Sequence, residues 1–528
     1  MRMERKTFVM LAGVALWAST WGAIAQQQAR QVKNEPGGSA REMAMERDFA
    51  EARKNPLQLR AWLEKMPKGA DLHVHLSGAV YAETFLREAV EDGLCVNVKA
   101  LSFAKPVAPK GACVEGDVAA ASVFKNQKLY DGLVDAFSMR SFVPSAGVSG
   151  HDQFFSTFAR FGGLDNEHAG EWVDEVAARA ARQNEQYLEL MMTPPFGNAA
   201  TLGYKYGWRG DSVEDMRAMR DALLAGGLRD EIDADRKQFA AAEAGREARE
   251  KCGTAQASDA CKVTVRWLVQ ILRGFAPQQV FAQVLLGFEV ASVDPHVVGM
   301  NFVMPEDGYL SMSEYHRQML MMDYLHSVYP KVHISLHAGE VAPGLVAPDG
   351  LRFHIREAVE LGHAERIGHG VDVMYEERPH ELLKEMAAKH VMVEVNITSN
   401  DVILGVRGAK HPLPMYRIFH VPVALSTDDE GVSRIDLTNE YLRAAMEFGL
   451  GYRELKNMAR TGIEHSFLPG ASLWASPDGF AKMAGGCAVV TQAAPTGPCG
   501  EFVKGSEKAQ QQWELERRFY VFESEAGR

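Results

Sequence analysis

One pattern restricts the fold of this 528-residue chain more than any other. An apolar run, a polar tip and a helix-like stretch recur through its second half. The runs are His333-Ile334-Ser335-Leu336-His337-Ala338-Gly339-Glu340, Arg366-Ile367-Gly368-His369-Gly370, Val391 to Asn400 and Val421 to Asp429. In each, the polar residues stand at the C-terminal edge of the hydrophobic segment. Stretches of helical spacing, Leu351 to Leu361 and Pro379 to Lys389, lie between them. Tyr187 to Thr193, Val263 to Leu272 and Pro295 to Val303 supply further strands. Strand, polar tip and helix in repetition predict a (β/α)8 TIM barrel, whose chemistry gathers at the C-terminal ends of the strands.

The barrel is expected to open at Met66, on the run that contains His73-Val74-His75. Residues i and i+2 of a strand face the same side, so both imidazoles aim at one point. Alone, H-x-H is more often two exposed histidines. It gains weight from His337 and Asp428, each at the end of a later run. Three imidazoles and a carboxylate suit one Zn²⁺ per chain, with a water completing the shell. Such a metal lowers the pKa of its water to near 7, which makes hydrolysis possible at neutral pH.

Glu340, three residues past His337, is placed to act as acid or base on a bound substrate. His369 is expected to take the proton of the water, and Asp429 to orient water or substrate. Taken singly, each has a plain reading: a buried histidine, a surface carboxylate, a tight turn, a helix cap. Together, at successive strand ends, they predict a barrel of the metal-dependent hydrolase type. Pro295 to Val303 has no lysine to bridge a second metal, which favours one ion. His363-Ala364-Glu365 imitates the H-x-E of a class of zinc enzymes that act on nucleobases. The P-C-x-x-C which that class also needs is missing, so the triplet is read as a helix end.

Arg2, Arg5 and Lys6 precede an apolar run from Thr7 to about Trp21, closed by Ala23-Ile24-Ala25. This has the form of a cleavable signal peptide, residues 1–25, and predicts export to a periplasm or the medium. No later segment is long and apolar enough to span a bilayer. The formal net charge of −12 argues against nucleic acid or an anionic membrane as partner and favours a small neutral or cationic substrate. The six cysteines fall into three local couples, Cys95/Cys113, Cys252/Cys261 and Cys487/Cys499, read as disulfides that close surface loops. Residues 26–65 are expected to form an N-terminal helical arm and 66–470 the barrel. The barrel carries an insertion near 95–122, read as an irregular loop, and a helical insertion near 205–262, where Asp211 to Lys251 reads as an exposed helical hairpin. Residues 471–528 form a C-terminal loop and helix.

Met66 to Gly78, Ser335 to Glu340, Arg366 to Gly370, Thr398 to Asn400 and Ser426 to Asp429 resemble the signature set of the adenosine deaminase family within the amidohydrolase superfamily. Leu437-Thr438-Asn439-Glu440-Tyr441 and Ser466-Phe467-Leu468 resemble its C-terminal region. The leader, Phe154-Phe155 and Pro305-Glu306-Asp307 resemble the secreted adenosine deaminase-related growth factors. The resemblance implies hydrolytic deamination of adenosine or 2′-deoxyadenosine at a site with His73, His75, His337 and Asp428 on zinc. It implies that Glu340 protonates the purine N1, His369 activates the water, Asp429 holds the ring and the Gly299 backbone meets the base edge. Two positions depart from the family pattern. Ser77 stands where an Asp usually contacts the ribose, and Asn396-Ile397 where Cys-Pro usually precedes Thr398. Another amidohydrolase acting on a modified purine or related aminated ring, or a non-catalytic secreted nucleoside-binding or signalling protein, are the competing implications.

Overall fold

The computed structural model describes residues 39–107, 111–164, 166–491 and 493–525. The expected signal peptide lies outside the described residues. Eight parallel strands form the barrel: β1 (Gly69–His75), β5 (Glu185–Met192), β6 (Thr264–Leu272), β7 (Val297–Val303), β8 (His333–Ala338), β9 (Arg366–His369), β10 (Met392–Val395) and β11 (Val423–Leu425). They neighbour one another in that order. The ring closes where Val74 bridges Asp428 in parallel, with Asp428 N–H donating to the His73 carbonyl at 2.9 Å and His75 N–H to that of Asp428 at 3.0 Å. Closure therefore brings the first strand against the last, and with them two of the candidate ligand segments.

Helices follow the strands and cover the barrel. Pro379–Lys389 shows why the sequence forms them. Pro379 has its ring at the first helical position, where no N–H is needed. Leu382, Leu383 and Met386 bury one stripe, and Lys389 meets the negative helix end. Pro277–Val293 is mostly apolar and buried from Gln279 to Val290, with β6 and β7 beneath and the helices Gly197–Tyr206 and Tyr315–Val328 beside it. The N-terminal arm is the pair Ala40–Ala52 and Pro56–Lys65. Its Trp62 packs edge-on against Phe49, Tyr452 and Phe522, which ties the arm to the last helix, Glu507–Glu523.

Two expectations are corrected. Residues 95–122 are not simply an irregular loop. They hold an antiparallel sheet of β2 (Cys95–Asn97), β3 (Ser102–Ala104) and β4 (Asp117–Ala119), too short for alternation to show in sequence. The helices Val213–Ala225 and Ile232–Arg249 are not merely exposed. Met216, Met219, Leu223, Phe239 and Ala242 bury a face against Gly197–Tyr206, Ala169–Arg182 and Pro277–Val293. All three expected disulfides are present, Cys95–Cys113, Cys252–Cys261 and Cys487–Cys499. Among the described residues no helix is long and apolar enough to cross a membrane.

Candidate metal centre and active site

His73 and His75 leave β1 on one side, as their spacing requires, and His337 joins them from the end of β8. Asp428 follows β11 at the closure of the barrel. His337 Nε2 lies 3.1 Å from His73 Nε2 and 3.2 Å from His75 Nε2. Asp428 Oδ1 lies 3.4 and 3.2 Å from the same two nitrogens. Donors about 2.0–2.2 Å from one ion stand about 3 Å or a little more apart, so these four separations suit a shared Zn²⁺ whose shell a water completes.

The far side of each ring explains why all three Nε2 atoms are free to bind. His73 Nδ1 meets Glu394 Oε2 at 2.6 Å, His75 Nδ1 meets Gln270 Oε1 at 2.6 Å, and His337 Nδ1 meets Asn301 Oδ1 at 2.8 Å. Each oxygen accepts an Nδ1–H, so each ring turns a lone pair on Nε2 toward the others. Three lone pairs and a carboxylate at one point demand a cation. Burial opposes a charged His73, yet the Asp428 and Glu394 carboxylates outweigh it and raise the imidazole to about 10. The residues present therefore fit a divalent metal, which takes the place of that proton.

Glu340 and His369 stand beside the cluster and form a second group with Asp428, their ligand atoms within 4.8 Å of one another. Burial, and then the charges of Asp428 and Glu306, push the Glu340 carboxyl well above its usual range. The backbone N–H groups of Gly339 and Glu340 both donate to Glu306, at 2.9 and 2.7 Å, which sets the direction of the Glu340 side chain. Burial lowers the His369 imidazole to about 4, against the pull of Asp428. His369 Nε2 faces the cluster, 3.7 Å from Glu340 Oε1 and 3.9 Å from Asp428 Oδ2. His369 and Asp428 both have left-handed backbone, φ 69° and 62°. Such residues cost about 1–3 kcal/mol each and persist where the surroundings hold them.

Asp429 is 3 % exposed, and its Oδ1 has no hydrogen-bond partner. Burial, and then the Asp428 charge, raise its carboxyl well above the usual range. It is packed against the backbone of Gly78, where a Cβ would lie 1.4 Å from Asp429 Oδ1. Ser77 is half-buried on the turn after His75. Gly299 is the expected site residue that the structure does not bring to the cluster. It pairs with His333 at the start of β8, and a Cβ there would meet Phe467. His337 lies four residues further along the strand, about 13 Å at about 3.3 Å per residue. The expectation that the Gly299 backbone meets the base is corrected accordingly: Gly299 belongs to the opposite end of the barrel. From β7 it is Asn301 that reaches the centre, through His337.

Glu394, Gln270, Asn301 and Glu306 carry no motif that predicts their place at the site. The first three lie within strands, where a polar residue in an apolar run was the available signal.

An eight-stranded parallel barrel with three imidazoles and a carboxylate gathered at its strand ends is the layout of a metal-dependent barrel hydrolase. The chain belongs to the adenosine deaminase family, whose profile matches residues 166–473. That span includes His337, Glu340, His369, Asp428 and Asp429. An adenosine deaminase from Clostridium acetobutylicum is 34% identical over 137 residues, and one from Escherichia coli is 37% identical over 137 residues. Each alignment covers 26% of this chain and 38% of the relative. Among solved structures, an adenine deaminase from Arthrobacter aurescens has a TM-score of 0.50 at 16% identity, covering 76% of this chain and 94% of that one. The N6-methyl-AMP deaminase from Arabidopsis thaliana has a TM-score of 0.48 at 22% identity, covering 78% and 94%. The likeness to the adenine deaminase shows the fold.

Proposed function

We propose that this protein hydrolyses adenosine and 2′-deoxyadenosine to inosine and 2′-deoxyinosine, with release of ammonia, using one zinc ion held by His73, His75, His337 and Asp428. One observation carries the reading: Glu340, whose carboxyl burial pushes well above its usual range, and His369, whose imidazole burial lowers to about 4, meet at a single candidate metal cluster. Zinc in that cluster supplies the Lewis acidity that makes a water nucleophilic near neutral pH. Glu340, kept protonated by burial, gives its proton to the purine N1, which draws electrons from C6 and opens it to attack. Asp429 meets the ring with its unpartnered Oδ1. His369 hydrogen-bonds the attacking water through Nε2. Water adds at C6, one of its protons passes to the exocyclic amine, which leaves as ammonia, the other restores the Glu340 carboxyl, and a carbonyl remains.

Ser77 offers the sugar one neutral hydroxyl, a weaker partner than a carboxylate. This supports tolerance at the ribose, with both nucleosides accepted. A net charge of −12 supports a nucleoside over its phosphates. The leader sequence and three disulfides support action outside the cytoplasm.

The test is ammonia release from adenosine, 2′-deoxyadenosine, AMP and adenine, together with metal analysis. The expected result is one zinc per chain and the highest kcat/KM for the two nucleosides. A preference for AMP or free adenine overturns the nucleoside assignment, and full activity in metal-free protein overturns the mechanism.

A further inference from the structure

Leu413 opens the short helix Leu413–Ile418, and its backbone N–H points at His411 Nδ1, 3.1 Å away. A backbone amide only donates, so this Nδ1 must accept. His411 is 3 % exposed. Burial, then the charge of Arg443, push its imidazole down to about 3, so the ring is neutral. A neutral imidazole with a bare Nδ1 carries its proton on Nε2. That Nε2 lies 2.9 Å from the side-chain amide of Asn400. As placed, Asn400 turns Nδ2 toward His411 Nε2 and Oδ1 toward His369 Nδ1, 3.1 Å away; the donor at His411 Nε2 requires the two ends to be exchanged, which sets the oxygen at His411 and the NH₂ at His369 Nδ1. Oxygen and nitrogen of an amide have the same shape, so the hydrogen-bond chain decides which is which. An NH₂ that donates to His369 Nδ1 leaves the His369 proton on Nε2. Turned the other way, the amide would force Nδ1–H of His411 against Leu413 N–H. Two buried donors would then lose their partners. Asn396 Nδ2 is 3.5 Å from both His369 nitrogens and fixes neither.

We propose that Asn400 and His411 are positioning residues that set the tautomer of His369, so that it presents Nε2–H to the attacking water. The naming of the water rests on the function proposed above. The tautomer does not. In this state His369 grips the attacking oxygen as a donor. Asp428 Oδ2, 3.9 Å from Nε2, supplies lone pairs at the same point. This differs from the role expected for His369 from sequence, taking the proton of the water.

Nitrogen NMR of the zinc-loaded, ¹⁵N-histidine-labelled protein tests this. The His369 signals are assigned by their absence from His369→Gln. The expected resting state has Nε2 protonated and Nδ1 bare. A proton on Nδ1, alone or with Nε2, overturns the proposal. Asn400→Asp keeps the shape and removes the NH₂. The new carboxylate accepts from both rings, so His369 is expected to move its proton to Nδ1. A wrong tautomer in a catalytic triad has cost about 10⁴-fold. A fall in kcat of about tenfold or more, with KM within about twofold, is expected here. An unchanged tautomer in this variant overturns the relay. If the variant does not fold, the wild-type spectrum decides. A protein that shows Nε2–H but deaminates no purine sinks the functional reading and leaves the relay standing.

Discussion

Glu394 Oε2 accepts the Nδ1 proton of His73 at 2.6 Å, and both side chains are fully buried. Glu394 continues to Arg366, 2.7 Å from its other oxygen, and Arg366 to Glu189 at 2.6 Å. Burial works against an ionised Glu394, but Arg366 and His73 outweigh it and hold the carboxyl below its usual value. The carboxylate fixes the His73 tautomer and strengthens its Nε2 as a ligand. Glu394→Gln is therefore expected to weaken metal binding by about 10- to 100-fold. Titration against a chelator of known affinity measures this. Unchanged affinity would remove Glu394 from the metal centre.

Glu340 is held well above the usual carboxyl range, first by burial and then by Asp428 and Glu306. Its protonated form is the active one, so activity persists at neutral pH and declines as pH rises through the raised pKa. Glu340→Gln is expected to lower kcat by about 10²- to 10⁴-fold, remove that alkaline limb and leave the metal content intact. A pH–rate profile of the variant with the limb unchanged would exclude Glu340 as the acid.

Gly78 has no room for a side chain, since a Cβ would lie 1.4 Å from Asp429 Oδ1 and 2.4 Å from its Cγ. Gly78→Ala should push Asp429 out of position. Misplacement by about 1 Å can cost about 10²-fold, and a loss of that order in kcat/KM is expected with metal still bound. Normal kcat/KM in this variant would show that Asp429 does not meet the substrate.

The bridge Cys95–Cys113 closes a loop of sequence separation 18 and pins the central strand of the small sheet. Replacing both cysteines by serine is expected to cost about 3 kcal/mol, read as a lower urea midpoint. Peptide mapping without reduction should recover this bridge with Cys252–Cys261 and Cys487–Cys499. Six free thiols would contradict all three.

The convergence of the candidate ligands was legible in sequence because it rests on local facts. His73 and His75 share a side of β1 by the two-residue repeat of a strand. His337, Glu340, His369, Asp428 and Asp429 each follow an apolar run, and strand ends are where a parallel barrel gathers its polar residues. The cysteine couples were legible for the same reason, with separations of 18, 9 and 12 residues. Gly299 was misplaced because strand periodicity tells which side a residue faces. Its height along the barrel depends on the stagger between neighbouring strands.

The sequence alone thus determined the candidate metal ligands and that a barrel would collect them. Only the tertiary structure decided how those atoms are aimed. Glu394 and Gln270 stand 321 and 195 residues from the histidines they orient, and they look like stray polar residues until the ring of strands closes. The same closure sets Asp428 against Val74 and makes the metal centre a product of the two ends of the barrel meeting. Tautomers follow a similar rule. A histidine's proton goes to whichever nitrogen faces an acceptor. For His73, His75, His337 and His369 that acceptor, or the lack of one, is supplied by a distant strand or loop that no local pattern names.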